Sequence, residues 1–166
     1  MTTLLYGCET WTLYRSDIRK LDSFHMRCLR RILGVRWQDK VPNTEVLARC
    51  HIDGIESYLI RAQLRWAGHL VRMEDERLPK ALFYGQIAEG KRSIGAPKKR
   101  YKDSLKSNLK HCGIDPSSWE STAKDRPVWR TTTALGVSRF EQSRIKDLQD
   151  KRRRRKECKG ERAARS

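Results

Sequence analysis

Between Ile55 and Met73 the apolar positions recur at helical spacing. At about 100° per residue, Ile55, Tyr58, Leu59, Ala62, Trp66, Leu70 and Met73 fall on one face, with Ile60, Leu64 and Val71 roughly opposite. The one charged stripe is Arg61, Arg65 and Arg72. The pattern predicts a central helix, buried on two sides, that shows water or a polyanion only its arginine ridge. The plain alternative is a solvated edge, the usual fate of helical charge.

Other segments carry weaker periodicity. A helix is predicted from about Asp17 to Leu33, with Ser16 as N-cap and Gly34 as the stop. Its buried face is Ile18, Leu21, His25, Cys28, Leu29 and Ile32, with Lys20, Arg27 and Arg31 outside. His25 and Cys28 have a metal-ligand spacing, but a partly buried, hydrogen-bonded histidine is the commoner outcome. Trp37, in the turn that follows, either seals the edge of the core or offers its indole to a base. Pro42-Asn43-Thr44 opens a short helix to about Arg49, and Gly54 separates it from the central one. Leu82, Phe83 and Tyr84 are expected to pack inward, and 89–97 reads as a loop.

A helix follows from about Lys98 to Cys112, buried through Tyr101, Leu105 and Leu109. Three cations at its start oppose the macrodipole by a few tenths to ~1 kcal/mol, which points to another role for them, phosphate contact. Asp115-Pro116-Ser117-Ser118 caps a short helix around Trp119, and Asp125-Arg126-Pro127 begins the next, with Trp129 facing inward. Thr131-Thr132-Thr133 weakens that helix and Gly136 is expected to interrupt it. From Ser138 a helix with a thin stripe of Phe140, Ile145 and Leu148 runs to Asp150. The Lys151–Lys156 block then repels itself and is expected to be mobile without an anion. The whole reads as all-α: a small irregular helical domain with a basic flexible C-terminal tail. It divides into a helical part at 1–88, a basic loop with short helices at 89–135, and a helix with a disordered tail at 136–166.

Charge sharpens this picture. The chain has 37 Lys and Arg against 20 Asp and Glu, a formal charge of +17. Residues 91–110 hold eight basic side chains and one acid, Asp103, and residues 151–166 hold nine against two. Charge focused in this way releases counterions on meeting phosphate, giving salt-sensitive, sequence-independent affinity. The terminal block suits a nuclear import signal equally well. No apolar run of membrane-spanning length, signal peptide or lipidation motif occurs, so nuclear or cytoplasmic residence is expected, with no membrane partner and no small-molecule substrate.

Catalytic and metal signatures are missing from the sequence. Cys8, Cys28, Cys50, Cys112 and Cys158 are scattered with no Cys-x-x-Cys, which suits a reducing compartment. Cys50-His51 and His111-Cys112 invite a zinc site, but adjacent helical residues point about 100° apart, so one ion rarely collects all four. Gly90 to Gly95 lacks the Walker arrangement. Glu74-Asp75-Glu76 could hold Mg²⁺ weakly, but reads better as a charged helix end. No cofactor or metal is expected.

Four strings, in order, carry a family resemblance. Leu4-Leu5-Tyr6-Gly7-Cys8-Glu9-Thr10-Trp11 is similar to the start of the thumb in non-LTR (LINE-type) retrotransposon endonuclease–reverse transcriptases. Arg27-Cys28-Leu29-Arg30-Arg31-Ile32-Leu33-Gly34 resembles the end of a thumb helix. Arg65-Trp66-Ala67-Gly68-His69-Leu70-Val71-Arg72-Met73 with Arg77-Leu78-Pro79-Lys80 resembles the region after the polymerase core, and Gly95-Ala96-Pro97-Lys98-Lys99-Arg100-Tyr101 the family's basic Gly-x-Pro segment. The resemblance covers most of residues 4 to 130. It implies a C-terminal thumb and post-thumb part, with fingers, palm and endonuclease belonging upstream. The family's polymerase works through paired palm aspartates that hold two cations. Asp-Asp occurs nowhere in this chain, so catalysis by the chain alone is not expected.

The expected function is therefore nucleic-acid binding by a reverse transcriptase fragment that lacks its palm. Partners would be RNA, DNA or an RNA–DNA hybrid, and the missing polymerase portion. A non-functional retrotransposon remnant and a basic protein-interaction adaptor are the alternatives. Candidate phosphate contacts are Arg61, Arg65, Arg72, Lys91, Arg92, Lys98, Lys99, Arg100, Lys102 and Lys106. On this reading, replacing Lys98, Lys99 and Arg100 with Ala should lower the salt slope of binding by up to about three units. A titration across salt concentrations checks this, and an unchanged slope would sink the assignment.

Overall fold

The periodic segment at 55–73 becomes the helix against which most of the others pack. In the computed structural model, which describes residues 3–85 and 99–164, the chain is all-α. The α-helices are α1 (Arg15–Ile32), α2 (Asn43–Cys50), α3 (Ile55–Arg72), α4 (Leu78–Tyr84), α5 (Tyr101–His111), α6 (Trp119–Lys124) and α7 (Arg126–Ala164). Single 3-10 turns occur at Cys8–Thr10 and Trp37–Asp39. Helix α3 packs against α1, α4, α5, α6 and α7. No described helix is long and apolar enough to cross a membrane.

Two cores result. The larger joins Ile60, Leu64 and Ala67 of α3 to Leu105 and Leu109 of α5, Trp119 and Ala123 of α6, and Trp129 and Val137 of α7. The smaller joins Met26 and Leu29 of α1 to Val46 and Leu47 of α2. Helix stops follow the sequence. Gly34 and Gly113 adopt φ of 65° and 68°, conformations that side chains with a Cβ disfavour. After α1, the Gly34 N–H bonds the Arg31 carbonyl and the Val35 N–H the Arg30 carbonyl, the Schellman arrangement. After α5, Gly113 and Ile114 repeat it on Lys110 and Leu109.

Helices α3 and α7 are joined at two points. The Trp129 indole lies on Gly68, where an added Cβ would meet its Nε1 at 2.1 Å, and that Nε1 donates to the Leu64 carbonyl at 3.0 Å. At the start of α3 the buried Glu141 carboxylate accepts the Gly54 N–H at 3.0 Å and the Ser57 hydroxyl at 2.6 Å. Arg144 completes the site with two bonds to Glu141, from Nε at 2.9 Å and Nη2 at 2.6 Å. Its guanidinium fills the space that a side chain at residue 54 would need, 2.2 Å from a built Cβ. Burial alone would raise the Glu141 carboxyl, but hydrogen bonds from Arg144, Ser57 and Gly54 outweigh it and hold the group below its ordinary range.

Several expectations need correction. Helix α1 starts at Arg15, with Tyr14 rather than Ser16 at its N-cap and Asp17 reaching back to the Tyr14 N–H at 3.1 Å. Ile32 is 78% exposed, and Met26 takes the place expected for it in the core. His25 is buried as predicted, but neither ring nitrogen has a hydrogen-bond partner among the described residues, and burial lowers its pKa toward the neutral form. Leu82 points outward, as does Leu78, while Phe83 packs on the larger core. Gly136 does not interrupt α7. It lies against Cys112, whose Cβ and carbonyl would sit 2.8 and 2.9 Å from a built Cβ, so the absence of a side chain permits close packing. The Thr133 hydroxyl bonds the Trp129 carbonyl at 2.8 Å within the unbroken helix.

The basic segment expected to be flexible is likewise helical, through Ala164. An established helix adds residues at little cost, and cations near its C-terminus suit the macrodipole. Arg153 also reaches Asp150 at 3.2 Å and Glu157 at 3.8 Å.

Two results should follow from the Glu141 site. Glu141→Ala leaves a mostly buried guanidinium unpaired, so a loss of about 3–5 kcal/mol is expected in urea unfolding. Because the folded-state pKa is depressed, the carboxylate's stabilisation is complete above the unfolded value of about 4.3 and is lost as pH falls through the folded value. Acid titration by circular dichroism should show this loss for the parent chain and a smaller one for Glu141→Ala.

Candidate nucleic-acid interface

The arginine ridge of α3 does not face water alone. It forms one wall of a groove of about 750 Å³ whose other wall is the first turns of α7. Arg61, Arg65, His69 and Arg72 line it from α3, and Arg126, Arg130 and Thr133 from α7. Residues spaced by three or four share a helix face, which is how 61, 65, 69 and 72 align and how Arg126 and Arg130 stand one turn apart. Trp66 and Trp129 floor the groove, and the Trp66 ring lies 5.4 Å from that of His69. Glu9 is the one carboxylate among the lining residues.

The five arginines are not equivalent. Arg61 pairs with Asp53 at 2.8 Å and lies over the Tyr58 ring at 5.6 Å. Arg72 turns its guanidinium to the Ala123 carbonyl at the end of α6 and is partly buried there. Arg65, Arg126 and Arg130 are exposed and make no ion pair among the described residues. Sequence periodicity finds Arg61, Arg65 and Arg72. It misses Arg126 and Arg130, because a Pro-flanked helix start gives no sign of which helix it will meet.

The second predicted cluster does not join this groove as a unit. Lys91, Arg92 and Lys98 lie outside the described residues, as does the predicted 89–97 loop. Lys99 is committed structurally: its Nζ donates to the Leu13 carbonyl at 2.8 Å, pinning the segment before α1. Tyr101 assists by donating to the Glu9 carbonyl at 3.0 Å, as a phenol that burial keeps protonated well above its ordinary range. Arg100 sits at the N-cap, so the cations precede α5 rather than fill its first turn, which carries Asp103 bonded back to the Arg100 N–H at 3.3 Å. Asp103 offsets part of the macrodipole conflict expected from the sequence, while Arg100 at the N-cap and Lys102 in the first turn still face the positive end of the helix. Lys102 is exposed and rests over Phe83 at 5.3 Å and Tyr84 at 5.8 Å, and Lys106 is exposed on α5. Arg100 and Lys102 border a different groove, apolar, built from Trp66, Leu70, Leu78, Leu82 and Phe83.

The acidic run that follows α3 is tied into the fold. Asp75 of the Glu74-Asp75-Glu76 run bonds Lys80 at 2.7 Å, which holds its carboxyl below the usual range, while Lys80 also caps α3 through the Val71 and Met73 carbonyls. Among the described residues no group of three or more His, Cys, Asp or Glu is arranged to hold a metal ion.

This chain is 24% identical over 136 residues to an uncharacterized transposon-derived protein of Caenorhabditis elegans, a match covering 78% of this chain and 49% of that protein. The chain thus spans about half the length of the curated relative it matches. No family model and no solved structure matches.

Structural and free arginines should separate by mutation. Arg72→Ala removes a charged bond to the end of α6 and should cost about 1.5–3 kcal/mol. Arg65→Ala should change stability by no more than about 0.5 kcal/mol. Paired urea unfolding curves measure both, and equal effects would contradict the division.

Proposed function

We propose that the groove between α3 and α7 grips the phosphate backbone of a double-stranded nucleic acid. In this reading the chain is a nucleic-acid-binding C-terminal part of a non-LTR retrotransposon reverse transcriptase, without the catalytic palm. The observation that carries it is the convergence of Arg65, Arg126 and Arg130, three exposed arginines from two helices, on one groove beside the Trp66 ring. Arginine suits phosphate because its planar fork can give two parallel hydrogen bonds. Likeness to a transposon-derived protein supports the mobile-element origin. The order of the four strings supports the reverse transcriptase part of the reading. On the same reading the chain holds the substrate and catalyses nothing, since the aspartate pair of the polymerase would come from another segment.

The remnant reading draws on the same likeness to a transposon-derived protein. A specific groove and a leftover basic surface respond differently to mutation. The double variant Arg65→Ala/Arg130→Ala removes two free cations and should lower the salt slope of duplex or hybrid binding by about two units, at about 0.9 for each phosphate no longer neutralised. Replacing two exposed tail residues, Arg154 and Arg155, removes the same charge elsewhere. Equal slopes for the two variants would mean that net charge alone drives binding, and would overturn the groove.

A further inference from the structure

The outer face of α1 carries charge and aromatic surface that the groove does not use. Lys20, Phe24, Arg27 and Arg31 follow at spacings of four, three and four and so form one stripe, about 17 Å long at the helical rise. Phe24 is 50% exposed within that stripe, in a shallow depression bordered by Arg19, Lys20 and Arg27. Past the Schellman stop, Trp37 stands 81% exposed between Arg36 and Lys40.

Trp37 is held out by its turn. The Asp39 carboxylate accepts the Arg36 N–H at 2.7 Å, and the Lys40 N–H bonds the Trp37 carbonyl at 3.3 Å. Lys40 takes a left-handed φ of 50° to close the turn. Among the described residues no ring or cation covers the indole. Nor does any of Arg19, Lys20, Arg27, Arg31, Arg36 and Lys40 pair with a carboxylate there.

The arrangement discriminates among ligands. Phosphate alone requires no aromatic faces, and a duplex keeps its base faces stacked out of reach. A membrane surface calls for a continuous apolar side on the helix, whereas here Phe24 stands between cations and the exposed Ile32 lies about 100° round the helix from Arg31. Unpaired nucleotides alternate a phosphate with an exposed π-face, which is what interleaved cations and aromatic rings match. We infer that the outer face of α1 with the Trp37 turn is a platform for single-stranded nucleic acid. Its cations take phosphates, and Phe24 and Trp37 stack on bases. This surface is separate from the α3–α7 groove and does not rest on the reading of that groove.

The test uses the full chain and fluorescence anisotropy at one fixed salt concentration, with labelled oligothymidylate, oligouridylate and a mixed-sequence duplex. Trp37→Ala should weaken binding to both single strands about tenfold, the loss of one stacked base, while duplex affinity stays within about twofold. Trp37→Phe should retain most of the single-strand affinity, and Phe24→Ala should fall in the same direction as Trp37→Ala. A loss confined to one of the two oligonucleotides supports the platform and assigns it to DNA or to RNA. Arg65→Ala/Arg130→Ala, which addresses the groove, should leave single-strand binding within about twofold whatever it does to the duplex. Unchanged affinity for both single strands in Trp37→Ala, or an equal loss for the duplex, overturns the inference. So does loss of pelleting with phosphatidylserine vesicles while single-strand binding stays intact, which would make this face a membrane surface.

Discussion

The seating of the Trp129 indole on Gly68 sets the distance between α3 and α7, and most of the structure follows from that distance. Without a Cβ at 68, the ring lies directly on the helix backbone and donates to the Leu64 carbonyl. The same approach brings Trp119 within 5.8 Å of Trp129, so α6 closes over the pair and Arg72 can reach its last turn. It also places Arg126 and Arg130 opposite the α3 ridge. A larger residue at 68 would part the walls of the groove as well as open the core. Gly68 therefore connects stability to the geometry of the candidate interface.

How much of this was legible depended on whether the signal was local. The α3 pattern was strong because both buried faces and the ridge lie within one periodic segment. The Gly34 and Gly113 stops were visible because the need for a left-handed residue is also local. Gly136 illustrates the opposite case: a glycine inside a helix looks like a break, yet this one makes room for Cys112, a residue from beyond the helix. Glu141 and Arg144 were hidden more completely. A charged pair three residues apart normally reads as a solvated face, and nothing near it reveals that Gly54 has left a space for the guanidinium.

The candidate interface was legible to the same extent. One wall, Arg61, Arg65 and Arg72, could be read from periodicity, although among the described residues only Arg65 of the three is left without a structural commitment. The other wall required knowledge of how two helices cross. Outward-facing apolar residues were the hardest to foresee. Ile32, Trp37, Leu78 and Leu82 have the composition of a core and lie outside it, because hydrophobicity indicates what burial would gain and not whether a partner element is within reach.

The length of α7 has a mechanical consequence. Its 39 residues span about 58 Å, and its contacts with the larger core end at Val137 and Phe140, followed by the Glu141–Arg144 site. Beyond them the basic block continues as helix, and Arg152, Arg153 and Lys156 line a depression against α2. Its angular phase is thus set at the Glu141 site. One uncharged residue inserted between Arg144 and Lys151 would turn the whole block by about 100° about the helix axis and advance it by about 1.5 Å. Such a chain would keep its net charge, yet turn its cations away from α2 and toward a different sector of space.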